Sequence, residues 1–303
     1  MATSILLTGG TGFLGRWLAP ELASGAGGAR LKALVRPPLS RPAVGRLREL
    51  GFELLLGDLR ELEVDELAPV LEGVELIIHL AAILEGHRRL LLQTNWRGTT
   101  RLLAAARAAG VKRIIHLSSI GASQNPKFPY AHSVWLAEQA VLESGLEFVI
   151  LRSSVLVGPG DPFTSGLIHM ALNWPVVILP QSGTRFQPLW VGDMARCILQ
   201  FLGRGSLPNR VIELGGPLIL TLDGLIDMIQ AELGVNRPMI HLPRRPLRLF
   251  IKILPRLGLH PPLVPSHLIG TDNVAGPGVV EAICGFAPRS LRAALDLQEG
   301  GRS

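Results

Sequence analysis

The chain has 303 residues, and 48% of them are hydrophobic, enough for a large core and too many for wholesale disorder. A net charge of +6, carried almost wholly by arginine, suits nucleic acid, anionic lipid or a phosphorylated ligand. No zinc finger, RNP-like aromatic strand or clustered basic recognition helix accompanies it, so nucleic acid is set aside first. Cys197 and Cys284, the only cysteines, lack a partner motif, which argues against a disulfide scaffold and a structural zinc site and suits a reducing compartment.

In chain order, the first apolar run, Ile5–Thr8, leads directly into glycines rather than a secretory leader pattern. Further short apolar runs at Leu31–Val35, Phe52–Leu56, Leu76–His79, Arg113–Leu117 and Glu147–Leu151 predict strands. Helical patterns at Phe13–Ser24, Leu62–Leu71, Asn95–Gly110 and Tyr130–Ser144 lie between them. Strands separated by such helices imply βαβ crossovers, and their nearly all-apolar character is that of strands buried on both faces. The expected fold is α/β, a Rossmann-type doubly wound parallel sheet with a small C-terminal lobe. The expected domains are residues 1–160 for nucleotide binding, 161–297 for a substrate or partner lobe interleaved with the sheet, and a tail at 298–303.

Beyond Gly158 the pattern loosens. Strand-like pieces at Val176–Leu179 and Arg210–Glu213 either extend the sheet or form an outlying one, and helices are expected at Gly192–Leu202 and Thr221–Leu233, the latter capped by Thr221. The uncharged stretch from Phe163 to Gly183 is interrupted by Asn173-Trp174-Pro175. It therefore reads as helix, turn and short strand rather than a membrane span, and a soluble, cytoplasmic chain is expected.

Gly9, Gly12 and Gly15 recur at three-residue spacing between a strand and a helix. The first permits a tight turn, the second admits a diphosphate, and the third allows close helix packing, while the helix start offers free N–H groups. Gly9, Thr11, Gly12, Phe13, Leu14 and Gly15 are the candidate diphosphate residues. Arg36 ends the second strand, where an acidic residue would bind a ribose hydroxyl. A guanidinium suits a 2′-phosphate instead, so NADP is expected, with NAD as the alternative; Arg16 and Arg41 could assist, and a solvated strand-end arginine is the bland reading. Asp58 with Leu59 follows the third strand, as an adenine contact or a helix cap, and Ala81 and Ala82 follow the fourth, where small residues let backbone lie against a cofactor. No His, Cys or carboxylate set has metal-ligand spacing, so no metal is assigned.

Taken together, Thr8-Gly9-Gly10-Thr11-Gly12-Phe13-Leu14-Gly15, Gly57-Asp58-Leu59, His79-Leu80-Ala81-Ala82, Leu117-Ser118-Ser119 and Pro188-Leu189-Trp190-Val191-Gly192-Asp193 resemble the extended and atypical short-chain dehydrogenases/reductases. Within them, Leu214-Gly215-Gly216-Pro217 and Gly285-Phe286-Ala287-Pro288 are similar to the branch that includes the nucleotide-binding accessory subunit of respiratory complex I. The resemblance implies a serine–tyrosine–lysine set; Ser119 and Tyr130 match the first two, and Val134 occupies the lysine position. A phenol with an ordinary pKa near 10 is a poor base at neutrality, and a lysine one helical turn on would lower it. Valine does not, so hydride-transfer chemistry is doubtful. One expectation is thus an NADP(H)-binding protein without turnover. The alternative is an NADP-dependent reductase or epimerase acting on a small apolar or phosphorylated substrate, with Tyr130 as acid/base and Ser119 orienting the carbonyl.

The segment 244–256 mixes arginines with bulky apolar residues. It fits either a short basic helix on an anionic membrane or protein complex, at the inner face of a membrane, or a lobe helix packed on the substrate cleft.

Overall fold

The computed structural model describes residues 4–37, 42–203, 206–243, 246–247 and 270–294. Arg41 and nearly all of the basic segment 244–256 lie outside the described residues. The chain divides into two compact units, one of residues 1–153 and 191–214, the other of 154–190 and 215–303.

In the first unit, the strands are β1 (Ser4–Thr8), β2 (Arg30–Val35), β3 (Glu53–Leu56), β4 (Leu76–His79), β5 (Arg113–Ser119) and β6 (Glu147–Ser153). They make one sheet with a seventh strand, Arg210–Leu214 (β11, counting the second unit's strands in chain order), ordered β11-β6-β5-β4-β1-β2-β3. Every pairing is parallel. The strand order reverses between β1 and β4, which opens the crevice at the strand C-termini where doubly wound sheets bind their ligands. Arg210–Leu214 therefore extends the main sheet.

The helices of this unit are α1 (Phe13–Gly25), α2 (Pro42–Glu49), α3 (Val64–Val70), α4 (Arg88–Leu91), α5 (Gly98–Ala108), α6 (Pro129–Leu142) and α8 (Val191–Leu199). Because alternate strand residues face opposite ways, Leu6, Ile77, Ile114 and Ile150 share a cluster with Leu67, Leu102 and Val141 of α3, α5 and α6. The intervening Ile5, Leu7, Ile78 and Val149 are buried as well, so both sheet faces are covered. Helix α1 packs against α8.

The structure departs from the sequence reading at a helix start and at the cysteines, among other places. The helix expected over Asn95–Gly110 begins earlier, as a π-helical turn at Leu92–Arg97 that leads into α5. Cys197 in α8 and Cys284 are both buried, but neither is a free thiol, which corrects the reduced pair inferred from their spacing.

The second unit contains β7 (Leu156–Val157), α7 (Pro162–Asn173), β8 (Val177–Pro180), β9 (Arg185–Phe186), β10 (Leu189–Trp190), β12 (Leu220–Thr221), α9 (Leu222–Leu233), β13 (Met239–Leu242) and α10 (Val279–Cys284). Its strands pair in twos: β10 with β7, β12 with β9 and β13 with β8. Phe163, Leu167, Met170, Phe186, Leu225 and Ile229 form its apolar core. Asp161 caps α7 by accepting from Thr164 N at 2.7 Å, and Thr221 caps α9 by accepting from Gly224 N. No described helix is long and apolar enough to cross a membrane.

Candidate cofactor site

Five segments of the first unit converge on one cleft at the C-terminal edge of its sheet. Thr8, Gly9, Thr11 and Gly12 come from the end of β1, Leu34 and Arg36 from β2, and Gly57, Asp58 and Leu59 from beyond β3. Leu80 to Ile83 follow β4, and Thr94 comes from the π-helical turn. The structure thus brings together Gly9, Thr11, Gly12, Arg36, Asp58, Leu59, Ala81 and Ala82. Phe13, Leu14 and Gly15 are set one step back, as the first turn of α1.

The glycine turn is built for close approach. Gly9 has φ +74°, and a Cβ there would stand 2.7 Å from Ala81 N. A Cβ on Gly15 would strike Gly9 O and the Gly10 backbone, so the third glycine lets the helix sit directly on the loop. Gly12 caps α1 without any side-chain acceptor, and the first turn carries no acidic residue. Its amides and positive dipole end are therefore left for an anion.

At the adenosine end, burial would raise the Asp58 carboxyl, but hydrogen bonds from Arg60 and the charges of Arg60 and Arg36 hold it below the usual carboxylate range. Arg60 Nε lies 2.9–3.0 Å from both Asp58 oxygens and its backbone N 2.9 Å from one. Asp58 is therefore no helix cap; α3 starts later, with Glu63 at its N-cap position. Arg36 is exposed beside this pair, while Arg16 lies outside the cleft lining.

Two polar residues, one in this wall and one behind it, were not singled out from sequence. Thr94 lines the cleft, and its Oγ1 is buried without a hydrogen-bond partner among the described residues. Asn95 is 2% exposed; its Oδ1 accepts from Ile83 N and its Nδ2 donates to Ile83 O, both at 2.9 Å, while Nδ2 also reaches Ser133 Oγ at 3.0 Å. It thereby ties the loop after β4 to α6. A polar residue inside an expected helix gave no sign of this, because a π-helical turn rotates side chains away from the 3.6-residue pattern.

An uncapped helix start, a glycine cradle that a Cβ would fill and an unpartnered hydroxyl suit a dinucleotide. In that fit, the α1 amides would take the diphosphate, and Arg36 with Asp58 would meet the adenosine.

Tyr130 and Val134 both lie on α6, and Val134 is buried at 4% exposure. Burial pushes the Tyr130 phenol up to about 12, outweighing its hydrogen bond with Ser119. None of Lys127, His132 and Arg152 stands in for the missing cation. Lys127 is exposed ahead of α6, and His132 stacks on Trp135. Arg152 makes a bidentate pair with Glu138, at 2.8 and 2.7 Å, and reaches Glu213 at 3.1 Å. No group of His, Cys, Asp and Glu that could hold a metal occurs among the described residues.

Known proteins place this geometry in context. Over 96% of its length the chain is 34% identical to sterol demethylase protein B of Methylococcus capsulatus, covering 95% of that protein. It is 35% identical to a ceramide reductase of Caulobacter vibrioides over 65% of this chain and 60% of that one. In the direction suggested by the C-terminal motifs, it is 28% identical to NADH dehydrogenase [ubiquinone] 1 alpha subcomplex subunit 9 of Arabidopsis thaliana, over 73% of this chain and 56% of that one. The crystal structure of DesIV, a dTDP-glucose 4,6-dehydratase from Streptomyces venezuelae with NAD and TYD bound, superposes with a TM-score of 0.75 at 22% identity, covering 99% and 98% of the two chains. Residues 5–215 match the model of one family, and the chain belongs to it: the NAD dependent epimerase/dehydratase family, with its Rossmann-type NAD(P)-binding fold.

Proposed function

We propose that this protein holds NADP(H) in the cleft at the glycine turn without turning it over near neutral pH, the coenzyme serving as a structural or redox-sensing element. One observation carries the reading: Tyr130 is held near 12 and the residue one turn on is the buried Val134. A bound nicotinamide supplies a hydride, yet the carbonyl it reduces also needs a proton donor whose pKa lies near the working pH. Arg36, with Arg60 close by on Asp58, favours the 2′-phosphate of NADP over the bare hydroxyl of NAD.

A second reading is supported by the intact Ser119–Tyr130 hydrogen bond and by the likeness to a ceramide reductase. In it the protein is an NADP-dependent reductase or epimerase of a small apolar or phosphorylated substrate, with Tyr130 as acid/base. Mass spectrometry of co-purified nucleotide, followed by NADPH absorbance across a carbonyl panel, separates the two. Retained NADPH without turnover is expected; turnover that disappears in Tyr130→Phe would overturn the first reading. The basic segment 244–256 is proposed as the contact with an anionic membrane face or a protein complex, and failure to float with anionic vesicles or to capture a complex would remove that part.

A further inference from the structure

We propose that His79 is a positioning residue for the coenzyme, joining the glycine turn to the helical wall across the cleft; this rests on reading the cleft as the NADP(H) site. Thr8 ends β1, immediately before Gly9, and its Oγ1 is 2.6 Å from His79 Nδ1. On the other side of the ring, His79 Nε2 is 2.8 Å from Thr99 Oγ1. Thr99 commits its single hydroxyl proton to the Asn95 carbonyl at 2.6 Å, so towards His79 it can only accept. Nε2 therefore carries the ring proton.

Burial, with His116 stacked at 5.2 Å, keeps the His79 pKa well below its ordinary value, so the ring is neutral. Nδ1 is then an acceptor, and the Thr8 hydroxyl must donate to it. Every bond in the series has one direction, from Thr8 to His79, to Thr99, to the Asn95 carbonyl. A side chain with one donor and one acceptor on opposite edges is what this position needs.

One end of this series, Thr8, lines the cleft; the other, Asn95, adjoins the lining residues Ile83 and Thr94. Thr8 O also accepts from Leu80 N at 3.1 Å, and Gly9 packs so tightly on the next peptide that a Cβ would meet Ala81 N at 2.7 Å. A shift of Thr8 is thus transmitted to the diphosphate turn. Asn95, at the far end, holds Ile83 through both its amide groups. His79 in this way sets the spacing between the glycine turn and the loop after β4, although it is 1% exposed and outside the cleft lining.

The test uses Thr99, which is fully buried and also outside the lining, so that its substitution removes no direct coenzyme contact. NADPH affinity is measured by calorimetry on the full chain as wild type, Thr99→Val, Thr99→Ser and His79→Leu. Loss of one such hydrogen bond predicts about 5- to 20-fold weaker binding in Thr99→Val and at least as much in His79→Leu, with Thr99→Ser restored to wild type. Ring ¹⁵N spectra of the wild type should show the neutral Nε2–H form and a change at His79 Nδ1 when NADPH binds. Wild-type affinity in a folded Thr99→Val would overturn the inference alone, as would an Nδ1–H tautomer. A wild type that binds neither NADPH nor NADH would instead remove the coenzyme reading on which it rests. Should His79→Leu fail to fold, the Thr99 pair and the ring spectra decide the matter.

Discussion

Replacing Val134 with lysine tests the account of Tyr130 in a direct physical way, because Tyr130 is the only tyrosine in the chain. Phenolate formation followed by near-ultraviolet difference absorbance therefore reports that one group. In the wild type, burial holds it near 12, while its hydrogen bond with Ser119 favours ionisation. An ammonium one turn along α6 would stand about 6 Å from the phenol oxygen. At an effective dielectric of about 20 it would stabilise phenolate by about 3 kcal/mol, moving the midpoint from about 12 towards 10. Near neutrality the phenolate population would rise about 100-fold. Glu138 lies one further turn along the same face and is 1% exposed, so it would share the new charge with Arg152 and reduce this gain. The lysine also costs stability, since it enters a site 4% exposed. The assay is a pH titration of both proteins below their alkaline unfolding. A wild-type midpoint at or below 10, or coincident midpoints in the two proteins, would refute the argument.

Other expectations follow from individual contacts. Arg36→Gln should weaken NADPH binding about 10- to 100-fold and leave NADH unchanged, by calorimetry; equal losses for both would remove the 2′-phosphate role. Arg152→Met leaves Glu138 buried without its bidentate partner and should cost about 3 kcal/mol in urea unfolding, the low end of the range for a broken buried pair because Arg152 is partly exposed. A loss below about 1 kcal/mol would mean the pair is no anchor. His116 is 5% exposed, neither ring nitrogen has a hydrogen-bond partner among the described residues, and burial lowers its pKa to about 4. The folded value lies below the unfolded one of about 6.5, so its effect is absent above pH 6.5. As pH falls towards 4 the unfolded chain takes up the proton first, and stability drops by about 3 kcal/mol. His116→Phe should shrink that acid loss and raise stability at neutral pH; an unchanged acid limb in chemical denaturation would contradict it.

The central strands were readable because a strand covered on both faces must be nearly all apolar: Leu76–His79 is buried throughout and falls where the run does, and Arg30–Val35 lies within a residue of its run, whereas the edge strand Glu53–Leu56 showed itself by its leucines alone. Gly9 was readable as a turn because few other residues tolerate its φ of +74°. Val134 spoke through spacing alone, four residues from Tyr130. What escaped depends on geometry that a period cannot encode. Leu92–Arg97 looks helical in sequence, and its π-helical winding, which brings Thr94 to the cleft and Asn95 to Ile83, is a tertiary outcome. Helix α2, Pro42–Glu49, shows too few apolar positions to announce itself, since only Val44 and Leu47 are buried. Strand Met239–Leu242 exists by pairing with Val177–Pro180, about sixty residues earlier, and reads locally as part of a proline-rich loop. His79 was legible as a core residue. That its two nitrogens have opposite duties follows only from the partners Thr8 and Thr99.

The central claim is that a pyridine nucleotide lies with its diphosphate on the glycine turn and the first turn of α1. Calorimetric titration of NADPH into the wild type and Gly9→Val tests it most directly, because a side chain at Gly9 has both a forbidden φ and a backbone clash at Ala81. The account predicts saturable one-to-one binding in the wild type, lost in the folded variant. Absence of heat from NADPH and NADH alike, or undiminished binding by Gly9→Val, would contradict it.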